Sequence, residues 1–160
     1  MLAKLTQAGI PCTYVFVNAL SYAMANVTKV FMGAAAIMAN GAVLSRIGTA
    51  IVAMTATSQN VPVIFCCETY KLCERVQLDS IVSNELGNPE MLASSSIRSI
   101  QPLSDWKQTP GLKLLNLRYD LTPMKYVGMV ITEVGMIPAT AVPALLREYR
   151  REDGMTQLLE

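Results

Sequence analysis

The stretch Met32–Thr49 holds the residues whose types and spacing can do chemistry. Asn40 and Gly41 make a strong turn signal, because both tolerate positive φ. Ser45 is a good N-cap, and Arg46, Gly48 and Thr49 fall in the first turn of the helix it would open. Ile47, Ile51 and Met54 follow at i, i+4, i+7, the spacing of one buried helical face. A strand at 29–32, a tight loop and a helix N-terminus would together make an anion or sugar-phosphate cradle. Unpaired N–H groups and the positive end of the helix dipole would point the same way there. The candidate ligand loop is therefore Asn40, Gly41, Ser45, Arg46, Gly48 and Thr49, with Arg46 as the cation. An ordinary strand-to-helix connection with no ligand accounts for the same residues.

Other reactive groups are few. The chain has no His, which removes Ser-His and Cys-His catalysis and every His-ligated metal site. Its four Cys (Cys12, Cys66, Cys67 and Cys73) include no C-x-x-C pair, so they read as reduced thiols, with Cys66 buried at a strand end. No metal, cofactor or catalytic residue is expected. Glu68–Arg75 is polar and follows a strand directly, at the end where open α/β sheets place ligands; a solvated connection explains it equally.

The elements that must position these residues alternate. Met1–Ala8 reads as a helix stopped by Gly9 and Pro11, Thr13–Val17 as a short buried strand, and Ala19–Ala25 as a helix capped by Asn18. Lys29–Met32 is a strand, Ile47–Ser58 the central helix, and Val61–Cys67 a strand with Pro62 at its start. Residues 76–110 form an irregular excursion containing Trp106, a residue suited to a lid or an interface, and the Ser-rich stretch 94–96. Leu112–Leu121 returns to strand character, with Leu115, Leu117 and Tyr119 on one face. Thr122 and Pro123 then read as N-cap and first residue of a helix, Met124–Val134, with Gly135 at its C-terminus. A last helix covers Val142–Arg151, and the mixed charges at 147–153 read as its solvated end.

This rhythm predicts an α/β fold: a Rossmann-like, mainly parallel sheet flanked by helices, in one domain spanning residues 1–160. The chain opens on a helix, so the first strand of such a fold is expected to be missing and the chain to be part of something longer. The hydrophobic fraction is 52% and the charged fraction 16%, which suits a sheet buried on both faces or a large partner interface. The 13 Lys+Arg nearly balance 12 Asp+Glu, leaving no basic footprint for nucleic acid. No signal peptide is visible. The apolar run Val30–Leu44 is too short to span a bilayer, so a soluble, cytoplasmic protein is expected. An exposed sheet edge would favour a homodimer in isolation.

Longer motifs then resemble a known family. Gly33-Ala-Ala-Ala-Ile-Met-Ala-Asn-Gly41 and Ser45-Arg-Ile-Gly-Thr49 are similar to its signature. Val61-Pro-Val, Asn116-Leu-Arg-Tyr-Asp-Leu-Thr-Pro123 and Ile131-Thr-Glu-Val-Gly135 also fit. The family joins the alpha, beta and delta subunits of eukaryotic translation initiation factor 2B to the isomerases acting on methylthioribose 1-phosphate and ribose 1,5-bisphosphate. The segments 66–77 and 82–86 resemble one branch of the subunits in particular. The resemblance implies a Rossmann-like C-terminal domain in the regulatory core of a guanine-nucleotide exchange factor. That core senses phosphorylation of the alpha subunit of initiation factor 2, the GTPase that carries initiator tRNA. Implied partners are the related alpha and beta regulatory subunits, the gamma and epsilon catalytic subunits, and initiation factor 2, with no direct nucleic acid and no membrane.

Against the isomerase branch, those enzymes resemble this chain except at their catalytic Asp in Gly-Ala-Asp-Arg-Ile. Here Ala35 stands in that place, and a methyl cannot exchange a proton. Their substrate-holding Asn-Lys is replaced by Ser45-Arg46, and none of the four Cys matches their catalytic one. The alternatives, a divergent sugar-phosphate isomerase or a sugar-phosphate- or nucleotide-sensing module, rest on the 40–49 loop. A subunit interface is expected around Leu115, Asn116, Leu117, Tyr119, Asp120, Thr122 and Pro123.

Overall fold

The computed structural model describes residues 1–78, 84–93, 103 and 105–148. The Ser-rich stretch 94–96 and the charged run from 149 onward lie outside them. Helices α1 (Leu2–Gln7) and α2 (Leu20–Met24) precede β1 (Val30–Gly33). Next come β2 (Ala36–Met38), β3 (Val43–Arg46), α3 (Thr49–Ser58) and β4 (Val63–Cys66). β5 (Leu72–Cys73), α4 (Glu90–Ala93), β6 (Tyr119–Thr122), β7 (Met129–Thr132) and β8 (Gly135–Ile137) follow, and α5 begins at 142.

The strands form two sheets, ordered β1-β4-β7-β8 and β5-β2-β3-β6. In the first, β1, β4 and β7 run parallel, with Met32 opposite Phe65 and Phe65 opposite Val130, and β8 returns antiparallel at the edge. In the second, β2–β3 and β3–β6 are antiparallel and β2–β5 is parallel. The α/β fold is as expected, in the form of mixed sheets flanked by helices. One core joins both sheets to α3: Val63, Phe65 and Val130 from the first, Ile37 and Val43 from the second, Ala53 and Ala56 from the helix. Alternate residues of β4 point inward, the period-2 pattern of a strand covered on that face.

Several local expectations change. Thr13–Val17 pairs with no strand among the described residues; Tyr14 and Phe16 lie exposed, and a 3-10 turn covers Val17–Ala19, so Asn18 caps no helix. A strand needs a neighbour for its backbone groups, and β-branched composition alone supplies none. Asn40-Gly41 is the turn of the β2–β3 hairpin, with Gly41 at φ 76°. Ser45 is therefore a strand residue and the helix opens only at Thr49, behind Gly48 at φ 99°. Ile47, Ile51 and Met54 face outward; the small residues Ala53 and Ala56 are the buried side of α3.

The strand expected over 112–121 is confined to Tyr119–Thr122, and the helix expected over 124–134 is absent. A 3-10 turn (Met124–Tyr126) leads instead into β7 and the β7–β8 hairpin, which Gly135 opens. Val127, Ile131 and Val134 have helical spacing, but Val130, Ile131 and Thr132 are consecutive β-branched residues that favour the pleated form. Within Glu68–Arg75, a 3-10 turn (Thr69–Lys71) is followed by β5. Cys66 is exposed, and Cys67 is the buried one of the pair.

Candidate functional site

The carboxyl ends of β1, β4 and β7 open into two neighbouring clefts that share Gly33 and Ala34. The first lies between β4 and β7 and is lined by Cys66, Cys67, Glu68, Lys71, Thr132 and Glu133. Its charges are already satisfied. Glu68 and Lys71 form an ion pair at 2.6 Å. Glu133 accepts the Thr69 N–H at 3.1 and 3.0 Å and also the Thr69 hydroxyl. The Lys71 ammonium holds Glu68 below the usual carboxylate range, and Glu68 in return raises Lys71. The Thr69 hydroxyl lowers Glu133 in the same way. Burial pushes the Cys67 thiol up to about 11. Neither carboxylate is thus a proton donor near neutrality, and Cys67 is no thiolate nucleophile.

The second cleft lies between β1 and β3 and is lined by Ala35, Ser45, Arg46, Thr49 and Tyr119. Ser45 is buried, and its hydroxyl donates to the Gly33 carbonyl at 2.7 Å, tying the second sheet to the end of β1. Arg46 is exposed, its guanidinium 5.7 Å from the Tyr119 ring centroid, a cation–π distance. Thr49 donates its hydroxyl to the Arg46 carbonyl at 2.7 Å.

The N-terminus of α3 is where an incoming anion was expected. Gly48 and Ala50 instead donate their N–H groups to Asp120 Oδ2, at 2.7 and 3.0 Å. A carboxylate of the chain's own β6 fills that place. It caps a helix whose N-cap, Gly48, brings no side chain. Burial pushes the Asp120 carboxyl up, against the lowering effect of the N–H groups of Ala50 and Gly48. Its Oδ1 is buried with no hydrogen-bond partner among the described residues.

The six candidate loop residues therefore divide. Ser45, Arg46, Gly48 and Thr49 gather at the second cleft. Asn40 and Gly41 sit at the other end of β3, where Asn40 Oδ1 accepts the Ala42 N–H and Gly41 lies against Met124 and Ala139. The candidate interface divides as well. Leu115 and Pro123 are exposed, whereas Asp120 and Thr122 are buried beneath α3. Tyr119 lies on the edge strand of its sheet, but Asn84 accepts its N–H at 3.1 Å and donates to its carbonyl. Asn116 donates to the Asn88 carbonyl at 2.9 Å, and Leu117 bridges to Leu86. The segment 84–88 therefore covers this edge. Asp120 as a cap, Asn84 as a clamp and the Thr69–Glu133 contact were not legible in the sequence. No sequence signal pointed to them, since Ser45 stood in the sequence as the expected cap of the helix that opens behind Gly48. Among the described residues no group of three or more His, Cys, Asp or Glu is placed to hold a metal ion, and no helix is long and apolar enough to cross a membrane.

Comparisons with known proteins agree in direction. The chain is 50% identical to translation initiation factor eIF2B subunit delta of Dictyostelium discoideum, over 95% of this chain and 25% of that one. It is 36% identical to ribose 1,5-bisphosphate isomerase of Pyrococcus furiosus, over 91% of this chain and 43% of the enzyme. Its fold matches the crystal structure of eIF-2B subunit delta from A. fulgidus with a TM-score of 0.73 and 28% identity, covering 90% of this chain and 41% of that one. The chain thus spans a quarter to somewhat under half of the proteins it matches. The model of the initiation factor 2 subunit family, IF-2B, fits residues 1–139, and the chain belongs to that family.

Proposed function

We propose that this chain is a non-catalytic regulatory subunit of the translation-initiation guanine-nucleotide exchange factor. It would bind the related alpha and beta subunits and sense phosphorylation of the GTPase's alpha subunit. The observation that carries the reading is the second cleft. Ala35 stands there, exposed, where the isomerase branch resembles this chain but for a catalytic Asp. Among the described residues the ionisable groups of the neighbouring cleft are paired or buried, which supports a chain without a replacement general acid. The greater identity to a delta subunit than to the isomerase supports the same reading. Of the interface residues, Leu115 and Pro123 present exposed surface to a partner. Asn116, Leu117, Tyr119, Asp120 and Thr122 shape the backbone beneath them.

The test is nucleotide exchange by the assembled factor with and without this subunit. Exchange on the unphosphorylated GTPase should persist without it, while inhibition by the phosphorylated GTPase is lost. Inhibition that survives its omission contradicts the reading, as does turnover of ribose 1,5-bisphosphate by the purified chain.

A second reading, a sugar-phosphate- or nucleotide-sensing module, rests on the exposed Arg46 beside Gly33–Ala35. Calorimetry with a sugar phosphate tests it: Arg46→Ala should abolish the heat of binding, and an unchanged isotherm removes the reading. The Asp120 carboxylate at the α3 N-terminus weighs against it, since the N–H groups a phosphate would use are taken.

A further inference from the structure

Asn40 and Gly41 carry a chemistry of their own. They are the only Asn-Gly pair among the chain's seven Asn. A glycine after Asn brings no side chain to shield its peptide nitrogen, and that nitrogen can attack the Asn amide. A bond forms from the Gly41 nitrogen to Asn40 Cγ, and the Cγ–Nδ2 bond breaks. The proton of the Gly41 nitrogen leaves with the side-chain NH2 as ammonia. Water then opens the cyclic imide. Opening on the side-chain carbonyl gives Asp, and opening on the main-chain carbonyl gives an isoaspartyl link, with the chain routed through the side chain.

The fold restrains each group this step needs. Residues 38–41 form a turn in which the Gly41 N–H donates to the Met38 carbonyl at 2.8 Å, and the Met38 N–H donates to the Ala42 carbonyl at 2.8 Å. Gly41, at φ 76°, completes a hairpin loop of the type I plus left-handed kind. The Asn40 amide is engaged at both ends. Its Nδ2 donates to the Gln77 carbonyl at 3.3 Å, and its Oδ1 accepts the Ala42 N–H at 3.2 Å. Gly41 is buried, and a Cβ on it would stand 2.8 Å from Met124 Sδ and 3.0 Å from the Ala139 carbonyl oxygen. The attacking nitrogen therefore keeps its proton in a hydrogen bond, shielded from base. The amide cannot turn its carbon toward that nitrogen without giving up its own partners.

We propose that Asn40 is a modification site gated by the fold: it deamidates when the β2–β3 hairpin opens and is protected while the hairpin is closed. Neither product fits the closed turn. A carboxylate at position 40 has no donor for the Gln77 carbonyl and sets a negative charge against it. The isoaspartyl link adds a main-chain carbon to the loop, and loop length fixes the register of β2 on β3. At the far end of β3 that register is what brings Ser45 to the Gly33 carbonyl. Each opening of the hairpin can thus be recorded in the covalent chain. The inference does not depend on the proposed function.

Peptide mapping by mass spectrometry tests it, with the full chain held at physiological pH in buffer and in guanidinium chloride. Conversion of Asn40 should be at least about 10-fold slower in buffer, the factor that breaking two ordinary hydrogen bonds amounts to. Leu121→Ala loosens the small apolar cluster of Met38, Ala42 and Leu121 beside the hairpin, and should speed conversion in buffer while leaving the rate in denaturant unchanged. The converted chain, separated by its added negative charge, should exchange the Met38 and Gly41 amide protons faster than the parent. Equal rates in buffer and denaturant overturn the inference, since the fold would then confer no protection. So does an Asn40 that stays unmodified in denaturant, a Leu121→Ala rate equal to the parent's in buffer, or unchanged exchange at Met38 and Gly41 after conversion.

Discussion

Asp120 shows how one side chain can fix a helix that is distant in sequence. Its Oδ2 takes two N–H groups at the start of α3, and the other oxygen is buried without a partner among the described residues. Asp120→Ala leaves those donors without an acceptor and should cost about 1–2 kcal/mol of stability, as other lost N-caps do. Asp120→Asn keeps an acceptor and should cost less. The pH dependence separates the two roles. Burial raises the folded-state carboxyl above its ordinary value of 3.8, so folding favours the protonated form. Its contribution is fully present below the unfolded value and is lost as pH rises through the folded one. Glu68 and Glu133, both lowered, act with the opposite sign: their contributions are present above the unfolded value and lost as pH falls. Urea melts of parent and Asp120→Asn from acid to neutral pH should therefore show the parent losing stability relative to the variant as pH rises. A constant gap between the two would refute the assignment. In the sequence Asp120 reads as a strand and candidate interface residue and not as a helix cap, because its partners stand some 70 residues earlier in the chain.

At the scale of elements, β4 and β7 approach closely where β7 begins. Gly128 donates its N–H to the Val63 carbonyl at 3.0 Å, and a Cβ on Gly128 would stand 2.7 Å from that oxygen. Gly128→Ala must push the entry to β7 away from β4, and should destabilise by about 1–3 kcal/mol, the usual range for overpacking. Denaturant unfolding would show the loss as a lower midpoint with an unchanged slope. Asn84→Ala should act differently. It frees both backbone groups of Tyr119 on an edge strand, so amide exchange should rise at Tyr119 while global stability falls little. Protection at Tyr119 equal to the parent's would contradict the clamp. Strands β1 and β4 were legible because short apolar runs bounded by Lys29, Asn60 and Pro62 admit little else. The β2–β3 hairpin was read only as a turn, since its strands are too short to show alternation. Strand β7 falls inside the helix expected over Met124–Val134 because Val127, Ile131 and Val134 satisfy helical spacing by coincidence. β-Branched residues in sequence were the better guide.

For the whole molecule, the α/β class followed from the alternation of apolar runs and short turns. The family followed from long motifs rather than from any reactive constellation. The site was legible as a place, the carboxyl ends of β1 and β4, but not as chemistry. The sequence suggested an open anion cradle at α3. The fold supplies its own carboxylate there, pairs Glu68 with Lys71 and holds Glu133 on Thr69. The Asp120 and Glu133 contacts join residues tens of positions apart, and a single sequence does not pair them. What remains is a cleft lined by Ala35, on a chain half identical to a delta subunit. The measurement that tests the regulatory-subunit account most directly is affinity capture of the endogenous chain from cytosolic extract, with the retained proteins identified and their ratios determined. Recovery of the alpha, beta, gamma and epsilon subunits in fixed ratio is the predicted result. A chain recovered without them would contradict the account.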